Sequence, residues 1–261
     1  MKSFFAFVLT AAISGSISHA SLIALDNAAN SPYSDGWQSG DNGGSGFGAW
    51  SFSGGGANSG FFRGSSADNG SSPSGNINTS GQSWGLYANN SALAAAVRPF
   101  TSGSLSAGQQ FLIKMDNGFI ESGGTVGFGL QNSSSQNRFE FYFVGGGSSY
   151  TINIGGTITS AAIGFTDDGL TLVFTQGSGN AWVLDVTPAG GSTSHFSGTL
   201  AASDISQLRL FNSNAGSGSD HDAFFNDIQV VPEPTNIALG ILGVFMVISF
   251  GVRRILSRRN A

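Results

Sequence analysis

Apolar and polar residues alternate along most of the chain between residues 109 and 231. A period of two is typical of β-strands that bury one face. In residues 139–144 the order Phe-Glu-Phe-Tyr-Phe-Val places three phenylalanines on a single face. The pattern predicts strands at 111–115, 126–130, 139–144, 150–154, 158–165, 170–175, 181–186, 195–200, 207–211 and 224–231.

Turn sequences and short clusters of aromatic residues extend the prediction of β-structure to the rest of the chain. The Gly-rich connection between 170–175 and 181–186 predicts a hairpin. Residues 26–83 are rich in Gly and Ser, and their aromatic islands predict short strands or ordered loops with inward-facing rings. Residues 84–88 fit another strand, whereas 92–97 fits a helical turn as well as a strand.

The segment between residues 21 and 231 is predicted to be one β domain. About a dozen short strands without a long amphipathic helix indicate a sandwich or barrel. Segment length and frequent turns favour a jelly roll over a seven-stranded immunoglobulin-like domain. Residues 208–231 also resemble the end of a concanavalin-lectin-like sandwich. We therefore predict an all-β, antiparallel jelly-roll or concanavalin-like β-sandwich over residues 21–231.

The N-terminus has the organisation of a secretory signal peptide. Lys2 supplies a positive charge, residues 4–13 are apolar, and Ser18-His19-Ala20 fits a signal peptidase site. The apolar run is short and a polar stretch follows it, which argues against a permanent membrane helix. We predict a helical signal peptide at 1–20 that is removed after Ala20.

A second hydrophobic segment lies near the C-terminus. Residues 235–252 carry no charge, and a helix of that length spans roughly 27 Å, enough for a thin bilayer core. We predict a single transmembrane helix there, with a buried core helix as the alternative. The basic tail 253–261 orients the C-terminus towards the cytoplasm. Its arginines are Arg253, Arg254, Arg258 and Arg259.

The tripeptide Pro232-Glu233-Pro234 precedes this span, and its prolines end the last strand at Val231. Together with the span and the arginine cluster, it resembles the PEP-CTERM sorting signal of Gram-negative bacteria. The resemblance covers residues 232–261 only. It implies that an exosortase in the inner membrane recognises the tripeptide and removes the span, which is then a transient anchor. The implied destination is the outer envelope, the cell surface or the extracellular matrix.

Composition narrows the functional classes. The 261 residues include 40 glycines, 22 phenylalanines and no cysteine, which excludes disulfides, thiol catalysis and thiolate metal sites. Between residues 21 and 231 there are five basic and fourteen acidic residues, hence a formal charge of −9. An acidic surface repels phosphate backbones, so nucleic acid is not expected as a partner.

The sequence shows no catalytic constellation. No His-Glu-x-x-His motif occurs, and the Gly-x-Ser-x-Gly match at residues 81–85 runs into a predicted strand, so it does not fit the strand-turn-helix elbow of a hydrolase. Glu121 and Glu140 are the only glutamates before the tail, and they do not form the paired-acid pattern of glucanases. His221, in Asp220-His221-Asp222, fits a metal-binding tract or a solvated loop. We assign no catalytic residue.

Calcium is the metal that the pattern favours, because lectin-like sandwiches often fix loops with a hard cation held by oxygen atoms. Asp167-Asp168 is a further acidic pair of this kind, and a solvated loop is the alternative for each cluster. The main candidate ligands, chosen because the first strand often pairs with the last, are Asp26, Asp222, Asn226 and Asp227.

Aromatic side chains are the candidate sugar platform, because exposed rings stack on pyranose faces. The candidates are Trp37, Trp50, Trp84, Tyr87 and Trp182, of which Trp37, Trp84 and Tyr87 are preferred, with a role in the core as the alternative. We predict a non-catalytic exported envelope or matrix protein, associated with exopolysaccharide or biofilm, whose sandwich binds carbohydrate. The alternative is a secreted, glycoside hydrolase-like enzyme on a jelly-roll scaffold. Expected partners are signal peptidase, the exosortase, the inner membrane and exopolysaccharide.

Overall fold

The computed structural model describes residues 22–70 and 77–232. Within them the chain forms fifteen β-strands and four single-turn 3-10 helices. The strands are β1 (Ala24–Asp26), β2 (Ser51–Ser53), β3 (Ser59–Gly64), β4 (Ser83–Ala88), β5 (Leu93–Pro99), β6 (Gln110–Asn117), β7 (Thr125–Gln131), β8 (Asn137–Val144), β9 (Ser149–Ile154), β10 (Thr157–Gly164), β11 (Leu170–Gln176), β12 (Ala181–Pro188), β13 (Ser194–Thr199), β14 (Gln207–Ser213) and β15 (Ala223–Val231). The 3-10 helices are Ser31–Tyr33, Ser66–Asn69, Ser178–Asn180 and Ser219–His221.

The strands form two antiparallel sheets. The eight-stranded sheet has the order β13-β12-β11-β6-β15-β4-β3, and β1 pairs with β15 beside this path. The seven-stranded sheet has the order β10-β9-β8-β7-β14-β5-β2. Phe139 of β8 packs on Phe174 of β11, with ring centroids 5.0 Å apart, so the core lies between the two sheets. The predicted all-β sandwich with antiparallel sheets is confirmed.

Strand alternation explains how the core is filled. Phe139, Phe141 and Phe143 of β8 are buried in it, while Tyr142 lies half-buried on the opposite face. The predicted hairpin is also confirmed, because β11 and β12 pair along their length. The ambiguous segment 92–97 lies mainly in strand β5, whose small alanine side chains pack in the core.

A buried ion pair connects the two sheets. Asp26 lies on β1 of the eight-stranded sheet and Arg98 on β5 of the seven-stranded sheet, and both side chains are fully buried. A buried guanidinium is tolerated only when its donors have partners. All five N–H groups of Arg98 are used: they donate to Asp26, to the Tyr33 hydroxyl, to Asn42 Oδ1 and to the carbonyl oxygens of Gly43 and Gly48.

Aromatic rings enclose this Arg98–Asp26 clamp. The guanidinium lies over the rings of Phe47 and Trp50, at 5.0 and 5.1 Å from their centroids. The Tyr33 hydroxyl donates to Asp26 and accepts a hydrogen bond from the Trp50 indole at 3.1 Å. Burial raises the pKa of Tyr33, which therefore stays neutral. The clamp is thus a hydrogen-bonded polar cluster surrounded by aromatic side chains.

One glycine allows the loop before β2 to approach β1. Gly44 has a φ of +67°, which L side chains rarely adopt. A Cβ there would also lie 1.9 Å from the Leu25 carbonyl oxygen. The Gly-rich N-terminal region therefore includes a position where only glycine fits.

Both predicted terminal segments, the signal peptide at 1–20 and the transmembrane helix at 235–252, lie outside the described residues. Within residues 22–70 and 77–232, the structure contains no helix with the length and hydropathy to cross a membrane.

We predict that Arg98→Met lowers the free energy of unfolding by roughly 3–5 kcal/mol, because Asp26 is left as an uncompensated buried charge. Adding Asp26→Asn should recover part of this loss. The control is Lys114→Met, which breaks a 2.6 Å pair with Asp227 at a Lys side chain that is 37% exposed. It should cost less than about 1 kcal/mol. Urea unfolding measures all three variants, and equal losses for Arg98→Met and Lys114→Met would contradict a structural role for the clamp.

Candidate functional site

The outer face of the seven-stranded sheet carries a group of large polar and aromatic side chains. Glu140 and Tyr142 of β8 lie on one side of β7, and Arg209 and Phe211 of β14 lie on the other. The positions of β7 that register with them are Gly129 and Gly127. Because these positions have no side chain, residues from the flanking strands meet above β7.

The glycine at 127 is a steric requirement of this arrangement. A Cβ at Gly127 would lie 2.3 Å from the Phe141 carbonyl oxygen and 2.5 Å from the Tyr142 Cβ. Strands β7 and β8 could not then keep their present approach. Position 129 is less crowded, because a Cβ at Gly129 would lie 3.4 Å from the Glu140 side chain.

Aromatic groups form one half of the site. The rings of Tyr142 and Phe211 lie 6.3 Å apart between centroids, and the Arg209 guanidinium covers Phe211 at 4.7 Å. A surface cavity of about 340 Å³ opens here. We call it the β7 groove, and it is lined by Leu93, Thr125, Glu140, Tyr142, Arg209, Phe211 and Ser213.

A chain of side-chain amides forms the other half. Gln207 donates to Gln131, Gln131 donates to Asn137, and Asn137 donates to Glu140 Oε1 at 2.5 Å. From the other side, Asn153 donates to Glu140 Oε2 at 2.7 Å. Linked hydrogen bonds of this kind polarise one another, so the network holds the Glu140 carboxylate in one position.

The two charged groups of the groove are partly desolvated. Burial raises the pKa of Glu140, against the opposing effects of Asn153, Arg209 and Asn137. Burial lowers the pKa of Arg209, against the opposing effect of the Glu140 charge. The two groups approach to 3.9 Å, and their side chains are 22% exposed for Arg209 and 12% for Glu140. Each therefore remains accessible to a ligand in the groove.

The chemistry of the groove suits a ligand with many hydroxyl groups. A carboxylate accepts hydrogen bonds from hydroxyls, a guanidinium donates to them, and aromatic rings supply apolar contact area. A few convergent polar groups beside an aromatic wall are typical of small-ligand sites. Glu140 is the one carboxylate among the described residues that line the groove.

Two of the candidate calcium ligands have other partners in the structure. Asp26 belongs to the Arg98–Asp26 clamp, and Asp227 bonds both Lys114 and Thr79. In the described parts of the chain, no three His, Cys, Asp or Glu residues are arranged to hold a metal ion.

The other two candidate ligands lie in different surroundings. Asn226 is buried, and its Oδ1 accepts a hydrogen bond from the Ala28 N–H at 3.0 Å. Asp222 follows the 3-10 helix Ser219–His221. Burial, and then the charge of Asp220, raises the pKa of Asp222 to about 7.

The candidate stacking residues lie away from the groove. The ring centroids of Trp37 and Trp84 lie 6.0 Å apart. All four tryptophans, including Trp50 and Trp182, are buried, so in this structure they are core residues. Tyr87 is half-buried and packs beside Phe62, with ring centroids 6.4 Å apart.

Little of the sorting motif falls within the described residues. Pro232 is the last described position, whereas Glu233, Pro234 and the four terminal arginines lie outside the described range. His221 is described, and its Nδ1–H donates to the Phe119 carbonyl oxygen at 2.7 Å.

Sequence reasoning does not single out Tyr142, Arg209 and Phe211 as site residues. The alternation of β8 places Glu140 and Tyr142 on its outer face. Nothing in the local pattern shows that β14 pairs with β7, which is what brings Arg209 and Phe211 beside them. The two glycines of β7 are the one local signal, since glycine inside a strand often marks a close approach.

Comparison with known proteins finds no matching family model and no matching curated protein. Among solved structures, the chain is similar to a galectin of Caenorhabditis elegans, at 13% identity over 51% of this chain and 88% of that one, with a TM-score of 0.36. It is also similar to a carbohydrate esterase from the Shiga toxin-encoding bacteriophage phi24B, at 16% identity over 70% and 90% of the two chains, with a TM-score of 0.44.

A third similar structure is a legume lectin-like domain from Entamoeba histolytica, at 10% identity over 57% of this chain and 82% of that one, with a TM-score of 0.39. At such identities and TM-scores these likenesses carry no argument about function. We therefore infer a function from the groove itself.

We predict that the pKa of Glu140 lies above its ordinary value of 4.5, and that Arg209→Gln raises it further by removing a nearby positive charge. Carboxyl NMR titration measures both. The control is Arg138→Gln, which should raise the pKa of Asp204 from about 2 and leave Glu140 unchanged. A Glu140 pKa that does not respond to Arg209→Gln would contradict this account of the groove's electrostatics.

Proposed function

We propose that this chain is an exported glycan-binding protein and that the β7 groove holds the sugar. The observation that carries the proposal is the meeting of Tyr142 and Phe211 with Glu140 and Arg209 above a strand that has no side chains there. An aromatic wall thus stands beside one hydrogen-bond acceptor, Glu140, and one donor, Arg209. A pyranose presents both kinds of surface, with C–H groups on its faces and hydroxyls at its edges.

The charge of the groove favours a neutral glycan. Glu140 and Arg209 carry opposite charges 3.9 Å apart, so the groove has no net charge when both are ionised. A uronic acid would bring a second carboxylate beside Glu140, in a chain segment whose formal charge is already −9. Neutral hexoses avoid this repulsion.

The topology supports the finer description of the fold as a jelly roll of the concanavalin-like kind, which is part of this proposal. Successive strands change sheets from β4 to β5, from β5 to β6 and from β6 to β7. Such crossing between two antiparallel sheets is a feature of jelly rolls.

Export and sorting are the second part of the proposal. The signal peptide at 1–20 and the resemblance of residues 232–261 to a PEP-CTERM signal support delivery through the inner membrane to the outer envelope, cell surface or matrix. There, a neutral exopolysaccharide of the matrix or biofilm is the ligand class that the groove would meet. In this proposal the protein binds and does not catalyse.

A secreted glycoside hydrolase-like enzyme is the alternative, and one observation favours it. The pKa of Glu140 is raised by burial, as it is in general acids of glycosidases. Hydrolysis requires a second carboxylate roughly 5 to 10 Å away. Among the described residues that line the groove, Glu140 has no such partner, so binding is the better supported function.

We predict that the purified protein binds neutral oligosaccharides and that Tyr142→Ala weakens binding about tenfold, a loss of about 1.4 kcal/mol, because a ring face leaves the sugar. Isothermal titration calorimetry over a glycan panel measures this. Phe119→Ala is the matched control, since Phe119 is an aromatic residue outside the groove that is 62% exposed. It should leave the affinity unchanged.

Three outcomes would count against this function. Binding of no member of the panel, or equal affinities for Tyr142→Ala and the wild type, would exclude the groove as a glycan site. Reproducible hydrolysis that is lost in Glu140→Gln would establish the enzyme instead.

We also predict that the exported protein ends near Pro232, because the exosortase removes the apolar span. Replacing Pro232, Glu233 and Pro234 together by alanine should leave the tail attached, whereas Glu121→Ala should be processed normally. Mass spectrometry of the exported form measures the C-terminus. An intact chain in the cytosol, with both terminal segments attached, would contradict the sorting proposal.

A further inference from the structure

A buried carboxyl–amide pair lies outside both the groove and the clamp. Asp116 is on β6, on the face opposite the core residue Met115, and Asn69 ends the 3-10 helix Ser66–Asn69. Asn69 Nδ2 donates to Asp116 Oδ1 at 2.8 Å. Both residues are only 2% exposed. The pair therefore joins a central strand of the eight-stranded sheet to the helix packed over it.

The remaining oxygens of the pair have no donor in the described structure. Asp116 Oδ2 and Asn69 Oδ1 are both buried and accept no hydrogen bond. Leaving two such acceptors unsatisfied is costly, because each lost its bonds to water on folding. The amide oxygen can only accept. A carboxyl oxygen, in contrast, becomes a donor when it binds a proton.

We propose that Asp116 is a neutral carboxylic acid in the folded protein and that its Oδ2–H donates to Asn69 Oδ1. The proton comes from solvent. One added proton thus gives a partner to both unsatisfied oxygens at once. The result is a closed ring of two hydrogen bonds, with Asn69 donating to one oxygen of Asp116 and accepting from the other.

The electrostatic surroundings support the neutral form. Burial raises the pKa of Asp116 to about 7, against the opposing effects of the Asn69 amide and the nearby Ser66 side chain. The charges of Asp167 and Asp168, in the loop between β10 and β11, raise this pKa further.

Among the described residues, the other ionisable groups around the pair supply no free positive charge. Tyr150 of β9 is buried, and burial and then the charge of Asp116 raise its pKa. Asp220 packs against Gly118, which follows β6. Lys114, the basic residue of β6, bonds Asp227 at 2.6 Å.

A bound cation is the competing way to satisfy the two oxygens. It would need further oxygen ligands in a suitable arrangement. Within the described residues, no group of three or more His, Cys, Asp or Glu residues provides one. The proton needs no additional ligand, and for that reason it is the occupant that the structure favours.

The acid–amide pair makes the fold sensitive to pH. The folded protein keeps this proton up to about pH 7, whereas an unfolded aspartate loses it near pH 3.8. The stability from the proton is fully present below about pH 4 and is lost as pH rises through about 7. As the pH rises from about 5 to about 8, loss of the Asp116 proton should by itself lower the folding equilibrium constant about a hundredfold.

The decisive variant is Asp116→Asn, because the new amide can make the same two hydrogen bonds to Asn69 at every pH. Urea unfolding of the full chain at about pH 5 and about pH 8 measures the effect. We expect the variant to be more stable than the wild type at about pH 8. We also expect its folding constant to change about a hundredfold less between the two pH values. Comparison with the wild type is essential, since Asp222 also has a pKa of about 7.

Asp204→Asn is the matched control. The Arg138 hydrogen bond lowers the pKa of Asp204 to about 2, so it does not titrate in this range. Replacing Asp204 should leave the pH dependence of the folding constant unchanged. Carboxyl NMR provides a direct second readout, in which Asp116 should titrate near pH 7.

Several results would overturn the proposal. They are a variant Asp116→Asn that is less stable than the wild type at about pH 8, an unchanged pH dependence, or an Asp116 titration near pH 4. Saturable stabilisation of the wild type by millimolar calcium at about pH 8, absent in Asp116→Asn, would show a cation site in place of the proton.

Discussion

The sandwich depends on one buried interaction, the Arg98–Asp26 clamp between its two sheets. Hydrophobic contact alone would let two sheets of similar side chains pack in several registers. A guanidinium with five donors accepts only a position in which all five find oxygens, and here they come from β1, from the Ser31–Tyr33 helix and from the loop before β2. We infer that the clamp selects the relative position of the sheets. The buried pair itself adds little net free energy to folding, so its main effect is on the packing geometry.

The groove depends on a different constraint, the missing side chains of β7. A sheet normally keeps side chains of next-nearest strands apart by the width of the strand between them. Gly127 and Gly129 remove that separation, so Glu140 can reach Arg209 and Tyr142 can reach Phe211. Two glycines thereby convert an ordinary outer face into a site with converging groups. Strand β7 still contributes to the core through the larger side chains on its other face, which are Val126, Phe128 and Leu130.

The sequence predicts the features that depend on the local residue pattern. It does not predict those that depend on which strands pair with one another. Alternation along 139–144 predicts the strand, its core face and the outward position of Glu140. It does not predict that β14 lies beside β7, because no local feature encodes a contact between residues so far apart in the chain. For the same reason, residue type alone points to Asp26 as a cation ligand and to Trp84 as a sugar platform. Only the tertiary structure shows that each is buried with partners.

The aspartates show how this acidic chain accommodates carboxyl groups in more than one way. Asp26 has Arg98 as its partner in the core, and Asp204 has Arg138 at 2.5 Å near the surface. Asp116 has no basic partner among the described residues, and the acids Asp167 and Asp168 act on it, so burial favours the protonated form. With five basic residues for fourteen acids between 21 and 231, cations are too few to partner each carboxylate. A proton is the remaining partner of unit charge that fits any buried site, and its binding makes stability depend on pH. The shortage of basic residues in the chain thus leads directly to acid-dependent stability in the fold.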